Sequence, residues 1–395
     1  MILFIKGLCA MHEDFFFITY MGRRMFMRKL FTSESVTEGH PDKLCDLISD
    51  SILDAYLKED ENSRVACETV AGKNTIFITG EITSKGNVDI EKVARKAIKS
   101  VGYFGDVDID YNKCDIIVNT TCQSADIALG TNNEVGGAGD QGMMFGYACT
   151  ETKEYMPFGI MTAHKLCKRL TDVRKKHIIE GIGADGKSQV TVEYDGDKIK
   201  RVDTILISVQ HHADKDLKEL REELIKEVIE PVVPAKYIDK DTKILVNPTG
   251  RFVIGGPLGD SGLTGRKIIV DTYGGYGHHG GGAFSGKDST KVDRSAAYMA
   301  RFLAKNIVAN GYATRCEIQL SYAIGVAEPI SLYLDTYGTN TIPEEDIIKK
   351  ITSKFKLTPN EINRYLGLRK PIFTKTTNYG HFGKKDLPWE KIIEL

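Results

Sequence analysis

The same order of elements recurs three times along this chain, and that repeat constrains the fold more than any other feature of the sequence. In the first copy, apolar residues return every fourth position at Leu44, Ile48, Ile52 and Tyr56, which is typical of one face of a helix. Two strand-like segments follow, RVACETV and TIFITGEIT, with a turn at AGKN between them. A second helical pattern and the strand CDIIVNTTCQ close the copy.

The second and third copies repeat this order of elements without repeating the residues. The second has a helix predicted over 158–176, a hairpin with its turn at Asp195-Gly196, a helix that we expect to end before Pro231, and the strand KILVN. The third has a helix over 292–307, the hairpin segments CEIQLSYAI and ISLYLDTYG, and a helix over 347–355. Each copy predicts a small sheet with helices on one face, so the fold class is α+β (α/β), with three similar sheet-plus-helix units.

Composition narrows the partners and the compartment. The 395 residues are enough for two or three domains. The formal net charge of −1 gives no reason to expect nucleic acid or an acidic membrane as a partner, so any anion site must be built locally. The eight cysteines include no CxxC pair and no zinc spacing, which is typical of reduced thiols in a cytoplasmic protein.

The first 26 residues lack the periodicity of the rest of the chain. Their apolar runs are broken by His12, Glu13 and Asp14 and are too short to span a membrane. Neither a basic start nor a small-residue cleavage site indicates a secretory signal. We therefore expect residues 1–26 to be a dispensable extension, and the native protein to begin near Met27.

A glycine-rich segment, GGGAFSGKD at residues 280–288, is the strongest local indication of chemistry. Gly281 to Lys287 fits the phosphate-loop spacing, in which backbone N–H groups approach phosphate oxygens and a lysine adds charge. Asp288 stands where a phosphate-loop enzyme has the Ser or Thr that holds magnesium. A phosphate-loop ATPase or kinase therefore remains the alternative interpretation.

Two further segments carry charge at positions suited to phosphate or to a cation. In GGPLGDSGLTGRK, Arg266 and Lys267 lie among glycines, where they either bind phosphate or are solvated charges at a strand edge. In EGHPDK, Pro41 suits the first position of a helix, which puts His40 at the cap and Asp42 in the first turn. A carboxylate there either holds a hard cation through oxygen or only stabilises the helix start, and the same choice applies to Asp293.

These motifs together resemble one family. EGHPDK, ACET, GEIT, GAGDQG, KSQV, NPTGRFVIGGPLGDSGLTGRK, DTYGG and GGGAFSGKD are similar, in order, to S-adenosylmethionine synthetase (methionine adenosyltransferase). The resemblance runs from Phe31 to Trp389 and implies attack of methionine sulfur on C5′ of ATP, with the released triphosphate hydrolysed to pyrophosphate and phosphate. It also implies pseudo-threefold symmetry, with units at 29–127, 139–254 and 256–393, two Mg²⁺ ions and one K⁺ per site, and a homo-oligomer, a dimer of dimers, with active sites between subunits.

The resemblance also implies roles for the residues at matching positions. His40 would stabilise charge on the oxygen leaving C5′, and the basic residues would clamp the phosphates. The implied catalytic residues are His40, Lys187, Arg266 and Lys287. The implied ATP-binding residues are His40, Asp185, Lys187, Arg251, Phe252, Asp260, Arg266, Lys267, Ala283 and Lys287. Those for methionine are Glu81, Gln123, Asp260 and Lys291; those for metals are Asp42 and Asp293 for Mg²⁺ and Glu68 for K⁺. A mobile gate would cover the site with residues that include Gln123, Ala125, Asp126 and Asn133.

The sequence departs from the family pattern at a few positions. Ala125 and Ser289 each replace a usual proline, and the first of these changes bears on the stiffness of the gate. Neither removes a charged group that the chemistry needs. We expect His164, His211 and His212 to be structural or solvated.

Overall fold

The computed structural model describes residues 29–104, 107–122 and 136–395, and it folds them into three small sheets packed against helices. The predicted extension at 1–26 and the gate residues Gln123, Ala125, Asp126 and Asn133 lie outside the described residues. None of the helices within those ranges is long and apolar enough to cross a membrane.

The strands are short to medium in length and follow the predicted hairpins. They are β1 Lys29–Val36, β2 Arg64–Gly72, β3 Thr75–Thr83, β4 Asp115–Thr121, β5 Gly142–Cys149, β6 Ile182–Asp195, β7 Lys198–His211, β8 Lys243–Val246, β9 Gly262–Leu263, β10 Arg315–Tyr322 and β11 Ser331–Asp335. The α-helices are α1 Pro41–Glu59, α2 Ile90–Val101, α3 Phe158–Lys175, α4 Leu217–Leu224, α5 Glu230–Val232, α6 Gly256–Gly259, α7 Ile268–Asp271, α8 Val292–Ala309, α9 Glu344–Lys354 and α10 Pro359–Leu366. A π-helical turn occupies Ile225–Ile229, and 3₁₀ turns occupy Ala235–Tyr237, Phe373–Lys375 and Pro388–Glu390.

Each predicted hairpin lies in a sheet of its own; it is central in the first two sheets, whereas in the third β11 forms an edge. The strand orders are β4-β3-β2-β9, β1-β6-β7-β8 and β11-β10-β5. Within each sheet the hairpin strands are antiparallel, and β4 and β8 add parallel to β3 and β7 after a helical crossover. The three copies of the sequence pattern therefore correspond to three related sheets, although the third sheet has no parallel strand among the described residues.

One outer strand of every sheet comes from a different part of the chain, which the sequence pattern did not predict. β1 precedes the first copy but pairs with β6 of the second. β5 precedes α3 of the second copy but pairs with β10 of the third, and the two-residue strand β9 returns to pair with β2 of the first. Backbone groups at a sheet edge need partners, so these exchanged strands both satisfy the edges and tie the three units together.

One predicted helix boundary is wrong. The helix that starts at Leu217 was expected to end before Pro231, but helical structure continues through a π-helical turn into α5, where Pro231 is the second residue. Proline has no N–H to donate and is tolerated in the first turn of a helix, so the change of hydrogen-bond register at the π turn gives Pro231 such a position.

The long helices α1, α3 and α8 pack on the sheets and bring their N-terminal ends into the protein interior. Buried ion pairs fix α8: the guanidinium of Arg294 donates to both oxygens of Asp50 on α1, at 2.7 and 2.8 Å, and Arg301 pairs with Glu390 near the C-terminus. Because a buried charge without its partner is strongly destabilising, these pairs specify where the first turn of α8 lies.

Candidate active site

The EGHPDK segment lies against the start of β6. The Thr37 backbone N–H donates to the Gly186 carbonyl at 2.9 Å, and its hydroxyl donates to the Ala184 carbonyl at 2.6 Å. A Cβ on Gly39 would lie 2.4 Å from the backbone of Ala184, so this approach requires glycine. The contact brings His40 close to Asp185 and Lys187, residues that are about 145 positions later in the chain.

His40 is a neutral hydrogen-bond donor in this site. It caps α1, is 2% exposed, and accepts a hydrogen bond at Nδ1 from the backbone N–H of Asp42 at 3.2 Å. Burial, followed by the charges of Lys267 and Lys187, lowers the pKa of His40 to about 3. Since Nδ1 accepts, the single proton of the neutral ring is on Nε2, which is therefore the donor.

Asp42 is an ionised carboxylate that lies beside two cations. Its Oδ1 accepts from the Leu263 backbone N–H at 3.0 Å, and its Oδ2 accepts from Nζ of Lys267 at 2.6 Å. Arg266 lies 3.7 Å from Oδ1. Burial acts to raise the pKa of Asp42, but the hydrogen bonds from Lys267 and Leu263 outweigh it and the pKa is lowered.

Asp42 is the first of four aspartates spaced four residues apart along α1, and each holds a different segment of the chain. Asp46 accepts from the Gly265 N–H at 2.9 Å. Asp50 accepts from the Gly286 N–H at 2.8 Å as well as from Arg294, and Asp54 accepts from the backbone N–H groups of residues 373 and 374. Four-residue spacing puts these carboxylates on one helix face. Sequence reasoning missed Asp46, Asp50 and Asp54, although this spacing was visible in the helix that the apolar residues predicted.

A buried lysine balances this row of carboxylates. Lys43 is fully buried and donates from Nζ to Asp46 at 2.8 Å and to Asp271 at 2.5 Å. Burial acts to lower the pKa of Lys43, but the two carboxylates outweigh it and raise the pKa above its usual value. Lys43 and Asp271 thus connect α1 to α7, which directly follows Arg266 and Lys267.

The glycine-rich segment at 280–288 lies along β2. Cys67 donates its backbone N–H to the Gly286 carbonyl at 2.9 Å, and Lys287 forms an isolated bridge with Ala66. Gly286 has φ +80°, and a Cβ there would lie 1.9 Å from the Cys67 carbonyl oxygen, so only glycine fits.

Asp288 accepts hydrogen bonds from backbone N–H groups and from a lysine. It therefore does not take the metal-binding role that Ser or Thr has at this position of a phosphate loop. It is 1% exposed, and it accepts from the Val65 N–H at 2.6 Å, the Thr290 N–H at 2.8 Å and Nζ of Lys291 at 2.5 Å. These bonds occupy both carboxylate oxygens. The phosphate-loop ATPase or kinase alternative is therefore not supported.

A second lysine–carboxylate pair lies on the other side of this segment. Lys287 donates from Nζ to Oδ2 of Asp293, in the first turn of α8, at 2.6 Å. Ala283 contacts Gly265, where an added Cβ would lie 2.4 Å from the Ala283 Cβ. The structure thus brings the glycine-rich segment, which carries the Lys287–Asp293 pair, against the segment that carries Arg266 and Lys267.

The residues predicted for methionine and potassium lie on β2, β3 and the start of α8. Glu81 is half-buried and lies opposite Ala66, the residue that bridges to Lys287. Glu68 is exposed on β2, and Lys291 is held by Asp288. Gln123 lies outside the described residues.

Two of the residues predicted for ATP lie on β6 and directly after α6. Asp185 is 5% exposed; its Oδ2 accepts from the Gly256 N–H at 3.0 Å, while its buried Oδ1 has no partner among the described residues. Burial raises the pKa of Asp185 to about 7. Asp260 ends α6 and is exposed.

Arg251 and Phe252 lie beside β7. Arg251 is exposed, whereas Phe252 exchanges two hydrogen bonds with His211: its N–H donates to Nε2 at 3.0 Å, and its carbonyl accepts from the His211 N–H at 2.8 Å. The expectation that His211 is structural agrees with this pairing. His164 is likewise buried, with Nδ1 2.8 Å from the Ser35 hydroxyl.

The cluster suits a polyphosphate with hard cations. Lys187, Arg266, Lys267 and Lys287 supply positive charge, and His40 supplies a neutral donor. Within the described ranges no three His, Cys, Asp or Glu side chains form a ready-made metal cage. Mg²⁺ is commonly held by one or two carboxylates and the substrate phosphates, and the single carboxylates of Asp42 and Asp293, each beside a lysine that could meet a phosphate, fit that mode.

The chain matches family models along nearly its whole described length. Residues 28–125, 135–252 and 254–391 match the N-terminal, central and C-terminal domains of S-adenosylmethionine synthetase. The S-adenosylmethionine synthase of Clostridium botulinum (strain Alaska E43 / Type E3) is 55% identical over 384 residues, which covers 93% of this chain and 98% of that relative.

Proposed function

The chain belongs to the S-adenosylmethionine synthetase family, and we infer from this that it is a methionine adenosyltransferase, which makes S-adenosylmethionine from ATP and L-methionine. The methionine sulfur forms a bond to C5′ of ATP, and the C5′–O bond breaks with its electron pair leaving on the triphosphate. Hydrolysis of the triphosphate then gives pyrophosphate and phosphate. The observation that supports the site assignment is that His40 of the first unit and Lys187 of the second lie close to the Asp42–Lys267 ion pair, while the Lys287–Asp293 pair belongs to the segment that contacts Gly265.

The chemistry asks the protein for alignment and for charge stabilisation. A thioether is a neutral nucleophile, so a general base contributes little, and the charge develops on the leaving oxygen. Nε2–H of the neutral His40 is assigned as the donor to that oxygen. Lys187, Arg266, Lys267 and Lys287 bind the phosphate oxygens, and neutral His40 adds a hydrogen bond without competing for them.

Asp42 and Asp293 are assigned as the protein ligands of two Mg²⁺ ions, and Glu68 as a ligand of one K⁺. Bound Mg²⁺ supplies charge neutralisation to the triphosphate. Lys267 and Lys287 pair with the two aspartates, at 2.6 Å each. On binding, we expect these lysines to move from the carboxylates to the phosphates.

The remaining assignments follow the same positions. Glu81, Gln123, Lys291 and Asp260 bind methionine; Asp185, Arg251, Phe252, Asp260 and the backbone at Ala283 bind the adenosine end of ATP; and residues 123–133 act as the gate. The three units are proposed to span 29–127, 139–254 and 256–393. We also place the enzyme in the cytoplasm, without nucleic acid or membrane partners.

An exposed apolar row supports a homo-oligomer. Leu263, Val70, Phe77 and Ile117 are direct neighbours across β9, β2, β3 and β4, and three of them are 36–50% exposed. Glu68 lies on the same face, two residues from Val70. Contiguous apolar surface of this kind marks interaction sites, so we place a second copy here, with the active site between subunits and a dimer of dimers as the assembly.

The test is incubation with ATP, L-methionine, Mg²⁺ and K⁺, followed by mass spectrometry for S-adenosylmethionine. We expect one pyrophosphate and one phosphate for each S-adenosylmethionine formed. Release of ADP, or ATP turnover that is indifferent to methionine, would contradict the proposed function. Asp241→Asn, an exposed surface change, serves as the control for handling of variants.

A further inference from the structure

A cavity lies outside the cluster described above, between α3 and the segment 374–387. Its volume is about 540 Å³, within the roughly 300–1,000 Å³ typical of sites for small molecules. Met161, Tyr379 and Leu387 give it an apolar side. None of its lining residues belongs to the site assigned to ATP, methionine or the metal ions.

Positive charge dominates the lining of this cavity. Five lysines line it, with two carboxylates, those of Glu154 and Asp386; the lysines are Lys165, Lys168, Lys375, Lys384 and Lys385. Lys165 lies 3.4 Å from Glu154. Lys168, Lys375 and Lys385 are exposed and form no ion pair within the part of the chain that the structure describes. Their charges are available to a ligand.

Lys384 lies at the floor of the cavity, and among the described residues no carboxylate contacts its Nζ. Its Nζ donates to the backbone carbonyls of Lys375 at 2.9 Å, Thr376 at 3.2 Å and Asn378 at 2.6 Å, all of which are neutral acceptors. Burial and the charge of Lys43 lower the pKa of Lys384 to about 7. An anion above this floor would favour the ammonium form.

Three lining residues have a buried polar atom without a partner in the described structure. These atoms are Oε2 of Glu154, Nε2 of His164 and Oδ1 of Asn378. Buried polar atoms are normally hydrogen-bonded, so unpaired ones in the wall of a single cavity indicate a place where water or a polar ligand completes the bonding. The cavity therefore has charge for an anionic group, and its two unpaired oxygens, which can only accept, would take hydrogen bonds from water or from hydroxyl groups of a ligand.

We propose that this cavity is a binding site for a small phosphate-bearing molecule, distinct from the ATP site. Lysine is a common binder of phosphate, which it meets as a point charge, so a cavity lined by several lysines suits a phosphate group. The described lining contains five lysines and no arginine. The apolar side formed by Met161, Tyr379 and Leu387 accommodates the organic part of such a molecule.

Equilibrium dialysis of the full chain with labelled pyrophosphate tests this site. Pyrophosphate also binds the proposed catalytic site, so the expected saturation is two equivalents per chain. In the variant Lys168→Gln/Lys375→Gln/Lys385→Gln we expect saturation to fall by one equivalent while the kcat for S-adenosylmethionine synthesis is kept. Lys168→Arg/Lys375→Arg/Lys385→Arg, which keeps the charge, and Lys198→Gln/Lys240→Gln/Lys349→Gln, which removes equal charge elsewhere, should both match the unmodified chain.

The difference of one equivalent decides the proposal. If the unmodified chain saturates at one equivalent and the Gln variant at none, the cavity site stands, and the missing equivalent counts against the catalytic assignment instead. Equal saturation of the unmodified chain and the Gln variant would overturn the cavity site. Loss of one equivalent of bound pyrophosphate in Lys198→Gln/Lys240→Gln/Lys349→Gln as well would show that the effect comes from net charge, and it would also overturn the cavity site. Displacement of the extra equivalent by citrate as readily as by phosphate would overturn the preference for phosphate.

Discussion

The ammonium of Lys267 lies 2.6 Å from Oδ2 of Asp42, across 225 positions of sequence. Asp42 is 2% exposed, so its charge is stabilised by this lysine and by the Leu263 N–H rather than by water. Lys287 and Asp293 repeat the arrangement at the same distance. Each proposed metal ligand is therefore held in an ion pair with a proposed phosphate ligand.

Replacing either aspartate should impair Mg²⁺ use. Asp42→Asn and Asp293→Asn each remove an anionic oxygen, so we expect a higher Mg²⁺ concentration for half-maximal rate and a strongly lowered turnover. Initial rates over a Mg²⁺ titration measure both effects, with Asp241→Asn as the matched exposed control. Normal turnover at low Mg²⁺ in either variant would remove that residue from the metal site.

His40 should act on the chemical step, whereas Lys287 should act on binding as well. Charge on the leaving oxygen grows only as the C5′–O bond breaks, so His40→Asn should lower kcat by about 10²–10³-fold with little change in the ATP Kd. Lys287→Met should also weaken ATP binding, because the Lys287 ammonium interacts with phosphate charge that is already present on the bound nucleotide. Nucleotide Kd and single-turnover rate separate the two. If His40→Asn loses ATP affinity while its single-turnover rate stays intact, His40 acts in binding and not in the chemical step.

The contribution of His40 should not change with pH near neutrality. Its pKa is lowered to about 3 by burial and by Lys267 and Lys187, so the ring stays a neutral donor above that value. The ratio of single-turnover rates, unmodified chain over His40→Asn, should therefore be constant from about pH 5.5 to 8, given the ordinary pKa of about 6.5 for a free histidine. A ratio that changes with a midpoint near 6.5 would mean that His40 titrates normally.

Asp185 should make the fold less stable as pH rises. Burial raises its pKa from 3.8 to about 7, so the folded state binds the proton more tightly, and the contribution to stability present below pH 3.8 is lost as pH rises through 7. The slope approaches about 1.4 kcal/mol per pH unit between these values. Asp185→Asn should remove this loss. The stability of the variant relative to the unmodified chain should therefore be higher at pH 8 than at pH 4.5. Urea unfolding at both pH values measures the difference in unfolding free energy between the two chains. The same difference at pH 4.5 and pH 8 would contradict the pKa shift.

Two glycines of one segment should differ sharply in their tolerance of alanine. Both Gly281 and Gly286 have positive φ, at +92° and +80°, but a Cβ on Gly281 meets nothing within 4 Å, whereas one on Gly286 would lie 1.9 Å from the Cys67 carbonyl oxygen. Gly281→Ala should cost only backbone strain, about 1–2 kcal/mol. Gly286→Ala should cost clearly more and detach Lys287 from β2. Urea midpoints for the pair provide the comparison, and equal losses would show that the close approach to Cys67 is not maintained.

The sequence by itself determined the local elements and the family. The start of α1 follows from a capping residue and a proline at its first position, and the hairpins follow from alternation and turn residues, all of which act over a few positions. The motif resemblance supplied the candidate site residues, and the matching family models support the same family. The helix-start patterns placed Asp42 and Asp293 in first turns but left open whether they did more than stabilise the helix start, and the metal role came only from the resemblance.

Only the tertiary structure decided how these pieces join. The outer strands β1, β5 and β9 pair with units other than their neighbours in sequence, and a two-residue strand such as β9 carries no periodic signal of its own. The segments that the four aspartates on α1 hold lie more than 200 positions away, although Asp46 also pairs with the nearby Lys43, so no local pattern indicates that Asp46 holds Gly265 or that Asp50 holds Gly286. Local propensity fixes which groups need partners, whereas the choice of partner depends on packing between distant segments, and that packing brings Lys267 to Asp42.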